Sequence, residues 1–163
     1  MHLPCHMKDI RQELGDRTSD FFFLFHALNR GYHCRINKIS QEIGLSKGQP
    51  PVLLFLEKET SRTQRELADF LNVKPASMTD VLQRMEKNGL VERKRGENDL
   101  RTMHVTITEK GREKSNEFLL KERSLDDLFF QGFEEKEKEL FLQMFAKMAN
   151  NLMNEMDCMG VEE

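Results

Sequence analysis

What this chain of 163 residues lacks narrows its class before any motif is read. Only 4 prolines and 9 glycines punctuate it, and no internal repeat or low-complexity tract occurs, so connections should be short and helices should dominate. The 3 cysteines, Cys5, Cys34 and Cys158, are odd in number and far apart. That is no disulfide framework, and they read as reduced or incidental thiols. No apolar run approaches the roughly 20 residues that cross a bilayer; the longest candidate, "FFFLF" at 21–25, is broken by His26 and Asn29. The opening "MHLPCHMKDI" has neither the apolar stretch nor the small-residue cleavage site of a secretory leader, so a cytoplasmic protein is expected. Met7 is an alternative start, and residues 1–6 are given no structural role.

Sites of catalysis are missing too. There is no P-loop, no G-x-G-x-x-G and no G-x-S-x-G, and the Ser and His positions assemble no nucleophile with a base and an orienting group. No enzyme, catalytic residue or cofactor is therefore expected. His2, Cys5 and His6 cluster and His33 adjoins Cys34, but these spacings reproduce no four-ligand zinc pattern. Adjacent residues on a helix also point in different directions, so no metal site is expected either.

What is present suffices for one domain with helical extensions: 38% of residues are apolar. The net charge of −3 conceals a segregation. Residues 62–115 hold 12 Lys+Arg against 9 Asp+Glu, net +3, whereas residues 116–163 hold 5 against 12, net −7. A polyanionic partner would meet the middle of the chain. The run "EEKEKE" at 134–139 reads as a solvated first helical turn favoured by the helix dipole.

Helical periodicity appears first at 19–44, where Phe21, Leu24, Phe25, Leu28, Tyr32, Ile36 and Ile39 recur at three- and four-residue steps behind the cap-type Ser19-Asp20. A short helix follows in "KGQPPVLLFLEKE", its prolines tolerable in the first turn. Thr63 and Glu66 have the spacing of a capping box and open "TQRELADFLN". The next helix, 75–88, has Pro75 at its start, apolar Met78, Val81, Leu82 and Met85 on one stripe, and Asn88-Gly89 as its stop. The three-residue link between Leu71 and Pro75 makes these two helices cross steeply, as in a helix-turn-helix. A two-stranded ribbon from Leu90 to Thr108 follows, then a helix capped by Thr108 that reaches about Phe130, and a last one from about Phe133 to Met156.

A helix-turn-helix followed by a hairpin is the winged form of the motif. Its second helix suits the major groove of DNA, while the ribbon reaches phosphates or the neighbouring minor groove. Arg93, Lys94 and Arg95 are then expected to neutralise phosphates along the stem. Arg101, steadied by Asp99, is expected to enter the minor groove, where the negative potential is focused.

The stretch "TQRELADFLNVKPASMTDVLQRMEKNGLVERKRGENDLRTMHVTITEKG" resembles the MarR family of transcriptional regulators. Its marks are Met85-Glu86, Gly89-Leu90-Val91, Arg93, Asp99 to Arg101, and Ile107-Thr108 to Gly111. The resemblance implies a mainly α fold with a small β-wing: an N-terminal dimerisation helix at 8–44, a winged helix-turn-helix domain at 45–111 and C-terminal dimerisation helices at 112–156. It also implies a homodimer that binds a pseudo-palindromic operator in double-stranded DNA as a repressor, and that a small apolar or aromatic effector releases. The recognition-helix residues would be Lys74, Ala76, Ser77, Thr79, Asp80, Gln83 and Arg84, joined by the five wing residues named above. Asp80 stands where members often carry a cation, and is either a reader of cytosine N4 or a surface charge. The redox cysteine that some members carry eight residues ahead of an Arg falls here on Phe22, so no such switch is expected. The Phe and Met stripes of the terminal helices line a ligand pocket or pack core and dimer. The alternative to a regulator is a winged-helix module that binds protein without specific DNA binding.

Overall fold

A computed structural model of the chain describes residues 19–59, 61–96 and 102–158. Among these the order is α1 (Asp20–Glu42), α2 (Gln49–Glu57), β1 (Arg62–Thr63), α3 (Gln64–Phe70), α4 (Pro75–Lys87), β2 (Val91–Arg95), β3 (Met103–Ile107), α5 (Glu109–Phe129) and α6 (Glu135–Cys158). The mainly α fold with a small β-wing is the one the sequence implies. Its start signals work as the residue types dictate. Ser19 Oγ accepts from the Phe22 N–H at 3.1 Å, and Thr108 Oγ1 accepts from the Gly111 N–H at 3.1 Å. The expected capping box closes on α3: Glu66 N–H donates to Thr63 Oγ1 at 3.2 Å, and Thr63 N–H donates to Glu66 Oε2 at 2.6 Å.

The sheet differs from the expected two-stranded ribbon. It has three antiparallel strands in the order β1-β3-β2, the short β1 pairing Arg62 with Val105 and Thr63 with His104. Two residues carry no readable alternation, and the second of them, Thr63, is itself the cap of α3, so the sequence offers no strand signal there. Strands β2 and β3 pair from Val91↔Ile107 to Arg95↔Met103. Alternation along β2 turns Val91 and Arg93 to one side and Glu92 and Lys94 to the other.

One core joins these elements. It takes Ile39 and Ile43 from the end of α1, Leu53 and Leu56 from α2, Leu67 from α3, Met78, Leu82 and Met85 from α4, Val105 and Ile107 from β3, and Phe118 and Leu125 from α5. All are buried. Helix α4 therefore sits with one stripe in the core, and the opposite face is free to meet a partner.

The junction between α4, the wing and α5 is fastened at one point. Helix α4 ends at Asn88, Gly89 turns the chain with φ 70°, and Leu90 enters the wing. Thr108 then clasps this turn, its N–H donating to the Leu90 carbonyl at 3.1 Å and its hydroxyl to the Gly89 carbonyl at 2.7 Å. Lys110 Nζ donates to the Asn88 carbonyl at 2.8 Å. Helix α5 lies so close that a Cβ on Gly111 would collide with the Leu90 carbonyl oxygen and press on Ile107.

The ends of the chain look different. The stripe Phe21, Leu24, Phe25 and Leu28 of α1 is exposed, and Phe23, off that stripe, is buried apart from the main core. On α6 the stripe Leu140, Phe141, Met144, Phe145, Met148 and Leu152 is exposed throughout.

Gly→Ala inside a helix ordinarily stabilises by about 0.5–1 kcal/mol. At Gly111 the sign reverses, because the new methyl meets backbone that cannot yield. Gly111→Ala should destabilise by about 1–3 kcal/mol, read as a lower urea midpoint at fixed chain concentration.

Candidate nucleic-acid interface

Helix α4 carries the face. Ala76, Ser77, Asp80, Gln83 and Arg84 are exposed, with Lys74 exposed at its N-cap. No side chain caps this end, so first-turn N–H groups face outward beside the Lys74 ammonium, an arrangement suited to phosphate. Thr79 is half-buried, and its hydroxyl is already engaged: it donates to the Pro75 carbonyl at 2.9 Å and accepts from Gln64 Nε2 at 2.6 Å. That chain of bonds ties α3 to α4 and fixes their crossing. Arg84 Nε donates to the Asp80 carbonyl at 3.2 Å, a bond to backbone that leaves the Asp80 carboxylate facing solvent.

The wing stem splits its three adjacent cations. Lys94 is 79% exposed, with a 3.0 Å ion pair to Glu92, and Arg95 is exposed. Arg93 is only 16% exposed and lies against Glu86 at 2.8 Å, and it lines the cleft between α3, the start of α4 and the wing. Strand alternation puts Arg93 on the side of Val91, which faces the core, and Lys94 on the other; Arg95 shares the side of Arg93 but stands at the end of the strand and stays exposed. Asp99 and Arg101, expected at the wing tip, lie outside the described residues.

Between α3, the start of α4 and the wing runs an open cleft of about 930 Å³, lined by Thr63, Gln64, Arg65, Pro75, Thr79 and Thr102 among others. Arg65, 91% exposed with only a loose 3.7 Å contact to Asp69, adds a cation that the sequence reading passed over. Its neighbours in "TQRE" form the capping box, and nothing in their spacing separates a groove-facing Arg from a solvated one.

Two apolar hollows lie away from this face. One, of about 530 Å³, is lined by Leu28, Tyr32, Phe129, Phe130, Phe133 and Phe141 among others. The other, of about 350 Å³, lies between α1 and α2 and includes Tyr32, His33, Ile36, Lys47, Pro50 and Phe118 in its lining. Burial, with the Glu122 charge adding to it, pushes the Tyr32 hydroxyl above its usual range, so it stays a neutral donor. Cys34 is exposed. No cluster of metal-ligating side chains occurs among the described residues, and no described helix is long and apolar enough to cross a membrane.

A helix-turn-helix whose second helix exposes a polar face, with a β-wing beside it, defines a winged helix-turn-helix protein. The family model "Transcriptional regulator SarA/Rot" matches residues 35–118, just over half of the chain. The uncharacterized HTH-type transcriptional regulator YwoH of Bacillus subtilis is 30% identical over 125 residues, 75% of this chain and 90% of that protein. A crystal structure of MarR superposes with a TM-score of 0.74 at 26% identity, over 88% of this chain and 97% of that one. A mutant of MepR from S. aureus, bound to an oligodeoxyribonucleotide, shares the fold with a TM-score of 0.58 at 18% identity, over 83% of this chain and 99% of that one. The chain belongs to the MarR family of transcriptional regulators.

The rim of the cleft supplies a pH test. The Glu66 carboxyl is held below the usual carboxylate range, first by the Thr63 N–H, then by the Thr63 hydroxyl, with Arg62 adding and slight burial opposing. A lowered folded value means stability that is full above the unfolded carboxylate value, about 4.3, and lost as pH falls through the folded one. Thr63→Ala loses the hydroxyl but keeps the N–H, so it should remove about 1 kcal/mol of capping near neutral pH and flatten only part of the fall on the acid side. Urea midpoints measured across that range check both.

Proposed function

We propose that this regulator binds a pseudo-palindromic operator in double-stranded DNA as a homodimer and acts as a repressor, in the cytoplasm. The observation that carries this reading is the exposed polar face of α4, accompanied by exposed cations on the elements next to it in the fold: Lys74 at its N-cap, Arg65 on α3, and Lys94 and Arg95 on the wing stem. Ser77, Asp80, Gln83 and Arg84 are assigned to base edges and Lys74, Arg65, Lys94 and Arg95 to phosphates, with Ala76 in apolar contact. Thr79 supports the helix crossing through its hydroxyl. Arg101, with Asp99, is assigned to the minor groove on sequence alone.

Residues 45–111 form the DNA-binding domain in this proposal, and 8–44 with 112–156 the dimerisation helices. The exposed stripes of α1 and α6 support that division, since a second copy would cover apolar surface that this chain leaves bare. The hollow beside Lys47 and Tyr32 suits a flat aromatic acid as the releasing effector. It adjoins Gly48, whose missing side chain faces Val81 of α4, so a ligand there presses toward the recognition helix.

The test is a salt-dependent gel shift on the DNA upstream of the protein's own gene. Arg65→Ala and Arg95→Ala should each weaken binding to every sequence and flatten the log–log salt slope by about 0.9. Asp80→Ala should instead change base preference by about 1–3 kcal/mol at one position per half-site. Binding that ignores sequence and salt would favour the protein-binding alternative. Light scattering should find dimers at micromolar concentration, and a folded monomer there would reject the dimer. Benzoate as probe should release the operator; undisturbed binding would remove the effector from the proposal.

A further inference from the structure

The partner of Arg93 was not legible in the sequence, and it changes what the wing can do. One guanidinium grips one carboxylate: Arg93 Nε donates to Glu86 Oε2 at 2.9 Å and Nη2 lies 2.8 Å from the same oxygen. Glu86 sits in the last turn of α4 and Arg93 in the middle of β2, so the pair bridges the turn at 88–90. The far side of that turn is already held by Thr108 and Lys110. The ion pair fastens the near side.

We propose that the Glu86–Arg93 pair is a strut that fixes the angle between wing and recognition helix, so that helix and wing engage neighbouring grooves together. Arg93 is on this view a positioning residue and not a phosphate anchor. The inference rests on the DNA-binding reading above. Leverage makes the angle matter: a five-residue stem reaches about 16 Å at about 3.3 Å per residue, so a 10° change at its base moves the far end by about 3 Å. That displacement is about half the width of a minor groove of about 6 Å. The pair is also internally neutral, so Arg93 adds little to the attraction for phosphate while it holds Glu86.

The experiment measures affinity and salt slope on matched operators whose flanks are A·T-rich or G·C-rich, for the full-length protein and four variants with unchanged thermal melts. Three outcomes are expected of the strut. Glu86→Gln weakens binding, although removing a negative charge beside DNA would by itself strengthen it. Arg93→Lys, which keeps the charge but loses the planar fork, loses the flank preference. The double variant Glu86→Gln, Arg93→Gln, which leaves the net charge unchanged, is no worse than Arg93→Gln alone, loses the flank preference and keeps the wild-type salt slope. The proposal is overturned if the double variant flattens the slope by about 0.9, or if Glu86→Gln binds as tightly as wild type while Arg93→Lys retains the flank preference. Those results would make Arg93 a phosphate contact. Wild-type protein that binds neither operator in a salt-dependent way would instead overturn the DNA-binding reading, which keeps the two failures apart.

Discussion

The fold depends on a close approach between two backbones. The Leu90 carbonyl, at the point where α4 gives way to the wing, accepts from the Thr108 N–H and lies against Gly111, whose lack of a side chain permits the contact. Three elements meet there: the helix that presents the polar face, the strand that starts the wing, and the helix that leads to the terminal region. A hydrogen bond between backbone groups tolerates little relative movement. The base of the wing is consequently pinned to the end of α4, and the core residues Met85, Leu90, Val91 and Ile107 pack around the same point.

From this junction the molecule divides chemically. On one side the polar groups of α4, the α3 start and the wing stem form a cleft in which amide, hydroxyl and carbonyl groups are interlocked, as the Gln64–Thr79–Pro75 chain illustrates. On the other side α1 and α6 present phenylalanine, leucine and methionine to solvent. Charge follows the same division, the basic stretch covering α3 through the wing and the acidic excess falling on α5 and α6. An approaching polyanion would therefore be turned toward the polar cleft and away from the terminal helices.

Elements with a local signature were legible in the sequence. The capping box at Thr63 and Glu66, the Thr108 cap and Pro75 at the start of α4 are each short-range chemistry, and the structure places them within a residue or two of expectation. Strand β1 was not legible, because its two residues acquire strand character only by pairing with β3. The same holds at the site. The polar face of α4 follows from periodicity, but the grip of Glu86 on Arg93 joins residues seven apart across a turn, and the engagement of the Thr79 hydroxyl depends on Gln64, fifteen residues earlier. Adjacent cations in "ERKR" look equivalent as letters, and only strand parity separates Arg93 from Lys94. Arg65 was missed because exposure toward a cleft is a property of the assembled lobe.

Helix α6 has a consequence for regulation that its packing alone does not suggest. Almost all of its described residues are exposed, so its own chain gives it little to lean on. If a second copy supplies that support, as proposed, the amount of competent regulator rises more steeply than the amount of chain while chains are scarce, following roughly the square of their concentration by mass action. The helix then works as a threshold: sparse synthesis leaves the target genes effectively unregulated, and a modest rise in expression brings control on abruptly.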